Sequence, residues 1–173
     1  FKRGMDLYFD KYDGTATTIE AFYEGFEEAA GFDLSRFRTW YSQAGTPTVT
    51  VERVAVEGSN APRLRLTQAI SPTPGQTEKK PVPIPLRMTA FTADGTEINP
   101  ETGDPRDGQD EDVVLLIDEV TELQLAPSAA DALISANRNF SAPVRIKDEL
   151  TMEDRLKLVT VETDAFAKWE ALQ

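Results

Sequence analysis

The chain has 173 residues, 40% of them hydrophobic and 28% charged, and carries a formal charge of −12 from 30 acidic and 18 basic side chains. It contains no His and no Cys, which excludes the common zinc centres, a Ser-His-Asp triad, a cysteine nucleophile and any disulfide. The acidic balance argues against nucleic acid or an anionic membrane surface as partner, no apolar run is long enough to span a bilayer, and the lack of Cys suits a cytoplasmic protein.

Phe1, Met5, Tyr8, Phe9 and Tyr12 recur at helical spacing with no capping residue before them, and Asp13-Gly14 breaks this first helix. Thr17-x-x-Glu20 predicts a capping box, followed by one buried stripe of Ile19, Phe22, Tyr23 and Phe26. Gly31 fits the left-handed position that ends this second helix. Asp33 then caps a third, with Leu34, Phe37, Trp40 and Tyr41 on its apolar face, closed by Gly45 and Pro47.

From Thr48 the period changes to two. Val49 and Val51 alternate with threonine, and Val54 and Val56 continue on the opposite parity, which predicts a bulge near Glu52-Arg53 or two short strands. Gly58-Ser59-Asn60 is a turn, and Leu64, Leu66 and Ile70 alternate beyond it. Five of the eleven prolines (Pro72, Pro74, Pro81, Pro83, Pro85) fall between 71 and 85, so this stretch is expected at an edge rather than in a central strand. Its last three prolines also raise the possibility of a polyproline ligand, but they lead directly into the alternating Ile84, Leu86, Met88 and Ala90. Further strands are predicted at Val113 to Ile117, Leu123 to Leu125 and around Val144-Arg145-Ile146. Thr151-x-x-Asp154 opens a helix with Leu156 and Val159 on its apolar side. Asp164 caps another, with Phe166, Trp169 and Leu172 on one face. The fold class expected is mainly β: an antiparallel immunoglobulin-like β-sandwich of about 100 residues between short helical segments. Both ends are expected to continue into something larger.

Residues 94–112 hold Asp94, Glu97, Glu101, Asp104, Asp107, Asp110, Glu111 and Asp112 against Arg106 alone, more than half of the net charge. Asp104-x-x-Asp107-Gly108-x-Asp110 has the oxygen ligands and glycine that calcium sites use, though not EF-hand spacing. The expected use is a solvated, self-repelling hairpin loop. The carboxylate pairs Glu27-Glu28 and Asp118-Glu119 could be sought for acid–base chemistry, but neighbours on a helix face different ways and those in a turn are solvated. No catalytic, cofactor-binding or metal-binding residue is predicted.

Three strings are more specific. Arg3-Gly4-Met5-Asp6-Leu7-Tyr8-Phe9 is followed by Tyr12-Asp13-Gly14-Thr15-Ala16-Thr17, and then by residues 33–47, which include Trp40-Tyr41-Ser42-Gln43-Ala44-Gly45-Thr46-Pro47. Later come Ser71-Pro72-Thr73-Pro74-Gly75-Gln76-Thr77-Glu78-Lys79-Lys80-Pro81, Phe140-Ser141-Ala142-Pro143-Val144 and the closing Phe166-x-x-Trp169-Glu170-Ala171-x-Gln173. In this order they resemble the bacterial aminopeptidase N family of zinc metallopeptidases across essentially the whole chain; the weakest stretch is 94–112. The resemblance implies that 1–45 are terminal helices of a thermolysin-like catalytic domain, 46–147 the β-sandwich domain, and 148–173 the first helices of a C-terminal helical domain. It also implies a parent that uses zinc to remove N-terminal residues from peptides, with the rest of the parent polypeptide as this chain's partner.

The family's His-Glu-x-x-His helix and Gly-Ala-Met-Glu-Asn string do not occur here. Its oxyanion tyrosine lies upstream of the first string, so Tyr8 and Tyr12 do not inherit that role. The resemblance therefore implies a non-catalytic structural linker. The alternative is an autonomous immunoglobulin-like binding module with a calcium or protein partner at 94–112.

Overall fold

The computed structural model describes residues 1–31, 33–106 and 113–173. They fall into two compact units, Phe1–Gln43 and Ala44–Gln173.

In the first unit, α1 (Lys2–Tyr12) packs against α2 (Ile19–Ala30). Two glycines let the helices meet closely. A Cβ on Gly4 would lie 2.7 Å from the Phe26 ring, and one on Gly25 would lie 3.2 Å from the Gly4 carbonyl oxygen. Aromatic rings fill the seam: Tyr8 meets Phe22 edge-on at 5.3 Å, and Phe26 lies 4.7 Å from Phe22 and 5.4 Å from Phe1. The α2 cap is Thr18, one residue later than expected, its hydroxyl accepting from the Ala21 N–H at 3.4 Å. Gly31 is left-handed (φ 72°), as predicted. Of the predicted stripe only Tyr23 is fully buried, with Phe37 and Tyr41 packed edge-on around it, and Ile19 is exposed. The third helix is instead a 3-10 turn (Ser35–Arg38) running into one α turn, α3 (Thr39–Ser42). Asp33 still opens it, accepting from the Ser35 N–H at 2.7 Å.

The second unit is an immunoglobulin-like sandwich with two helices at its end. One sheet has the order β6-β2-β1-β8, from β1 (Thr48–Val54), β2 (Arg63–Ala69), β6 (Val120–Gln124) and β8 (Arg145–Lys147). The other is built on β3 (Ile84–Phe91). Its first half ladders with β5 (Val113–Leu116), and its second half with β4 (Glu97–Ile98) and β7 (Leu133–Ala136). Pro85 therefore sits where β3 pairs with β5 alone, which reconciles proline with a strand that is central further on. Pairing is antiparallel except for β1 with β8, which is parallel.

No bulge interrupts β1: its register with β2 runs unbroken from Thr48↔Ala69 to Val54↔Arg63. The opposite parity of Val54 reflects only its half-buried place at the strand end. Inward-facing Val49, Val51, Leu64, Leu66, Ile84, Leu86 and Met88 form the core, each at most 6% exposed. The next inward position in β2 after Leu66 is not Ile70 but Gln68, 3% exposed. Its Nε2 donates to the carbonyls of Val82 (3.0 Å) and Asp118 (2.9 Å), and its Oε1 accepts from the Val82 N–H (2.9 Å). One side chain thus replaces missing ladder bonds beside the proline-rich entry to β3. On the outer face, Glu122 accepts from Arg65 (2.7 Å) and Arg63 (3.1 Å), which holds its carboxyl below the usual range.

α4 (Met152–Val161) starts at the predicted capping box: the Thr151 hydroxyl accepts from the Asp154 N–H and the Asp154 carboxylate from the Thr151 N–H. α5 (Ala165–Ala171) starts at Asp164. The buried faces differ from expectation. In α4 the buried residue is Leu158, while Leu156 is exposed; in α5 they are Ala167 and Ala171, while Trp169 and Leu172 face outward. Small alanines allow α5 to lie close to its neighbours, which the rings could not.

Gly4→Ala is expected to destabilise the Phe1–Gln43 unit by about 1 kcal/mol, because overpacking against Phe26 outweighs the gain in helix propensity. Amide exchange of α1 and α2 in the intact chain measures it. Gln68→Ala strands the buried N–H and carbonyl of Val82, frees the Asp118 carbonyl and is expected to cost the sandwich about 3 kcal/mol in chemical denaturation.

Candidate functional site

The acidic segment is only partly a loop. Asp94 accepts from the Thr92 hydroxyl and, at 3.2 Å, from the Thr96 N–H, forming the turn into β4, a strand that the sequence pattern did not announce. Beyond β4, Asn99 Oδ1 accepts from the N–H groups of Glu101 (2.8 Å) and Thr102 (3.0 Å), and Ala126 N–H donates to the Pro100 carbonyl at 2.9 Å. Gly103 (φ 78°) has no room for a side chain, since a Cβ would fall 2.3 Å from Ser128 Oγ. The segment through Arg106 is thus tied to the sandwich. Asp107, Asp110, Glu111 and Asp112, and with them most of the candidate calcium ligands, lie outside the described residues.

The other candidate groups have structural partners. Glu27 accepts from the Leu34 N–H at 3.0 Å and Glu28 pairs with Lys11. Asp118 and Glu119 form the β5–β6 turn, where their main-chain carbonyls accept from Gln68. The Tyr12 hydroxyl donates to Glu24 at 3.2 Å, and Tyr8 stacks in the helix seam. Lys79 closes the proline-rich loop, its ammonium donating to Ala44 O (2.8 Å), Thr73 Oγ1 (2.7 Å) and Gln76 Oε1 (3.1 Å).

Among the described residues, a dense polar constellation lies where the sandwich meets α4 and α5. Arg138 and Glu162 are 2% and 1% exposed. Glu162 Oε1 accepts from Arg138 Nε (3.1 Å) and Nη2 (2.9 Å), and from the N–H groups of Thr163 (2.7 Å) and Asp164 (2.8 Å). Its Oε2 accepts from the Ser135 hydroxyl. Arg138 Nη1 donates to Glu97 at 2.8 Å and Nη2 also to the Thr163 hydroxyl at 2.9 Å. Arg138 is presented by a turn in which Asn137, Asn139 and Phe140 all have positive φ (58°, 54° and 48°). Asn tolerates this region; Phe does so only at a cost. The turn is braced by Asn137 Oδ1, which accepts from the Ser141 hydroxyl (3.2 Å) and the Ala142 N–H (3.0 Å), and by the Asn139 N–H donating to Asp164 at 3.0 Å.

Chemically, this constellation holds charge rather than reacting. Its Arg138–Glu162 centre is almost wholly removed from solvent, and both carboxylates are engaged by donors within the fold. Sequence reasoning missed Ser135, Arg138 and Glu162. The available signal was Asn137-Arg138-Asn139, two residues suited to left-handed backbone flanking a cation.

A cleft of about 440 Å³ lies between the β7–β8 side and α4–α5, lined by Val144, Arg145, Asp148, Arg155, Trp169 and Glu170 among others. Arg155 donates to Asp148 at 2.7 Å. Burial, with the Asp148 charge adding to it, pushes the Glu170 carboxyl above its usual range, and Arg155 partly offsets this. Among the described residues no three His, Cys, Asp or Glu side chains come together as a metal-binding group, and the chain has neither His nor Cys. These residues do not fit the zinc centre that the resemblance implies for a parent. No helix among the described residues is long and apolar enough to cross a membrane.

Because the folded pKa of Glu170 is raised, its ionisation opposes folding once pH exceeds the unfolded value, and the penalty is absent in acid. Glu170→Gln is therefore expected to raise Tm at pH 7 and to leave it unchanged near pH 4; equal Tm at both pH values overturns this.

Known proteins match the chain along its full length. It is 43% identical over 173 residues to aminopeptidase N of Caulobacter vibrioides and 32% identical over 174 residues to aminopeptidase N of Escherichia coli. In each case all of this chain is covered, but it spans only 19% and 20% of those relatives' length. The crystal structure of Legionella pneumophila aminopeptidase A in complex with aspartic acid matches 97% of this chain and 18% of that one, with a TM-score of 0.78 and 25% identity. A family described as a domain of unknown function (DUF3458) with an Ig-like fold matches residues 45–149, the span of the sandwich. The chain belongs to that family.

Proposed function

We propose that this chain is a non-catalytic structural segment of a larger, zinc-dependent aminopeptidase that removes N-terminal residues from peptides in the cytoplasm. Its partners are then the other parts of the same polypeptide. Residues 1–45 are the closing helices of the catalytic domain, 46–147 a spacer sandwich, and 148–173 the opening helices of a C-terminal helical domain. The observation that carries this proposal is the full-length alignment with aminopeptidase N relatives of about five times this chain's length. The chemistry of the side chains supports it too, since polar groups that could act on a substrate are committed to capping, bridging and buried pairing.

The zinc would polarise a scissile carbonyl and activate water in the parent. This chain's own residues supply rigidity: Gln68 ties the proline-rich entry to the core, and Arg138 ties the helices to the sheet. Within the acidic stretch 94–112, Asp94 and Glu97 have partners within the sandwich.

The purified chain, supplied with zinc, is expected to retain no stoichiometric metal after gel filtration and to release no chromophore from aminoacyl-anilides. Chelator-sensitive turnover by the chain alone would overturn the proposal.

A further inference from the structure

We propose that α4 and α5 are locked to the sandwich as one rigid body by a charge joint, with Arg138 as its anchor, so that no hinge exists between β8 and α4. The family match ends at residue 149, and the resemblance implies a domain boundary at 147. The geometry ignores both boundaries.

Three independent sets of contacts cross them. The first is the joint itself. The sandwich contributes Ser135 from β7, Arg138 from the strained turn and Glu97 from β4, while the helices contribute Glu162 and Thr163 from the link between α4 and α5. The second is apolar: Phe91 of β3, Leu158 of α4 and Ala171 of α5 are buried in one cluster, with Leu133, Leu150, Val159 and Val161 packed against it. Phe91 is 1% exposed, with residues of both helices in its cluster. The third is steric. A Cβ on Gly95, in the β3–β4 turn, would sit 3.0 Å from Val161 at the end of α4.

The joint differs from a surface ion pair in what its loss leaves behind. Removing Glu162 takes two hydrogen bonds and a countercharge from a guanidinium that is 2% exposed, and frees the Thr163 and Asp164 N–H groups that hold the α4–α5 elbow. Buried pairs broken on one side are strongly destabilising, whereas exposed pairs such as Lys157–Glu153 are nearly silent. Asp164 adds direction: the same carboxylate oxygen caps α5 through the Ala167 N–H (2.8 Å) and accepts from Asn139 N–H (3.0 Å) in the strained turn. The axis of α5 is thereby set by the sandwich rather than by a flexible linker. This inference rests on the geometry of residues 44–173 and holds whether or not the proposed aminopeptidase role does.

Native-state hydrogen exchange on the full chain tests it. In the unsubstituted protein, the slowest amides of α4 and α5 are expected to exchange at the same rate as those of β3 and β7. In Glu162→Ala both sets are expected to accelerate together, about a hundredfold or more, and in Glu162→Gln about tenfold, while Glu153→Gln leaves all rates unchanged. Helix amides that exchange a hundredfold faster than β3 and β7 in the unsubstituted chain would overturn the rigid joint. So would helix rates untouched by both Glu162 variants. Should Glu162→Ala fail to fold, the unsubstituted comparison and Glu162→Gln decide the matter.

Discussion

A guanidinium removed from water must be answered on every side, and the second unit is organised around meeting that demand for Arg138. Its partners come from a short strand and the corner between two helices, which are distant in sequence and meet only in the folded molecule. Apolar packing alone would tolerate small slides of α4 and α5 over Phe91 and Leu133, because dispersion contacts are non-directional. The charge-assisted bonds to Glu162 are directional and permit one arrangement. The positive-φ run at 137–140 makes sense in these terms: it aims the arginine, and Asn139 is in turn held by the cap of the helix that the arginine fixes.

Gln68 works by the same principle at the other side of the sandwich. The five prolines between 71 and 85 remove backbone donors from a segment that enters the core at Val82 and Ile84, and a side-chain amide supplies what the backbone lacks there. Both devices occupy positions where an aliphatic residue would be the default. Both convert a loosely specified junction into a single geometry, which suits a segment whose relatives carry it within a chain about five times longer.

Local signals were legible in the sequence where the responsible groups are neighbours. The Gly31 stop, the Thr151–Asp154 box, the Asp164 cap and the inward series Val49, Val51, Leu64 and Leu66 all involve partners a few residues apart or a fixed alternation. The side of a helix that is buried was less legible where both faces are apolar: α5 hides Ala167 and Ala171 and shows Trp169, since the fit requires small groups. β4 and β7, of two and four residues, are too short for periodicity to mark. The Arg138–Glu162 pair spans 24 positions, and nothing local distinguishes it from any exposed arginine and glutamate. Composition alone settles a narrower point: no fold can supply an imidazole or a thiolate that the chain does not contain.

The parallel pairing of β1 with β8 sets a schedule for biosynthesis. Thr48 finds its second neighbour in Arg145, nearly a hundred residues later, and the Arg138 joint waits further still for Glu162. A nascent chain can close the β1–β2 hairpin early, yet it carries one open edge of β1 through most of its translation. Ribosome speed and chaperone access over that interval bear on the yield of correctly closed sheets, because an unpaired valine-rich edge is a template for the wrong strand as well as the right one.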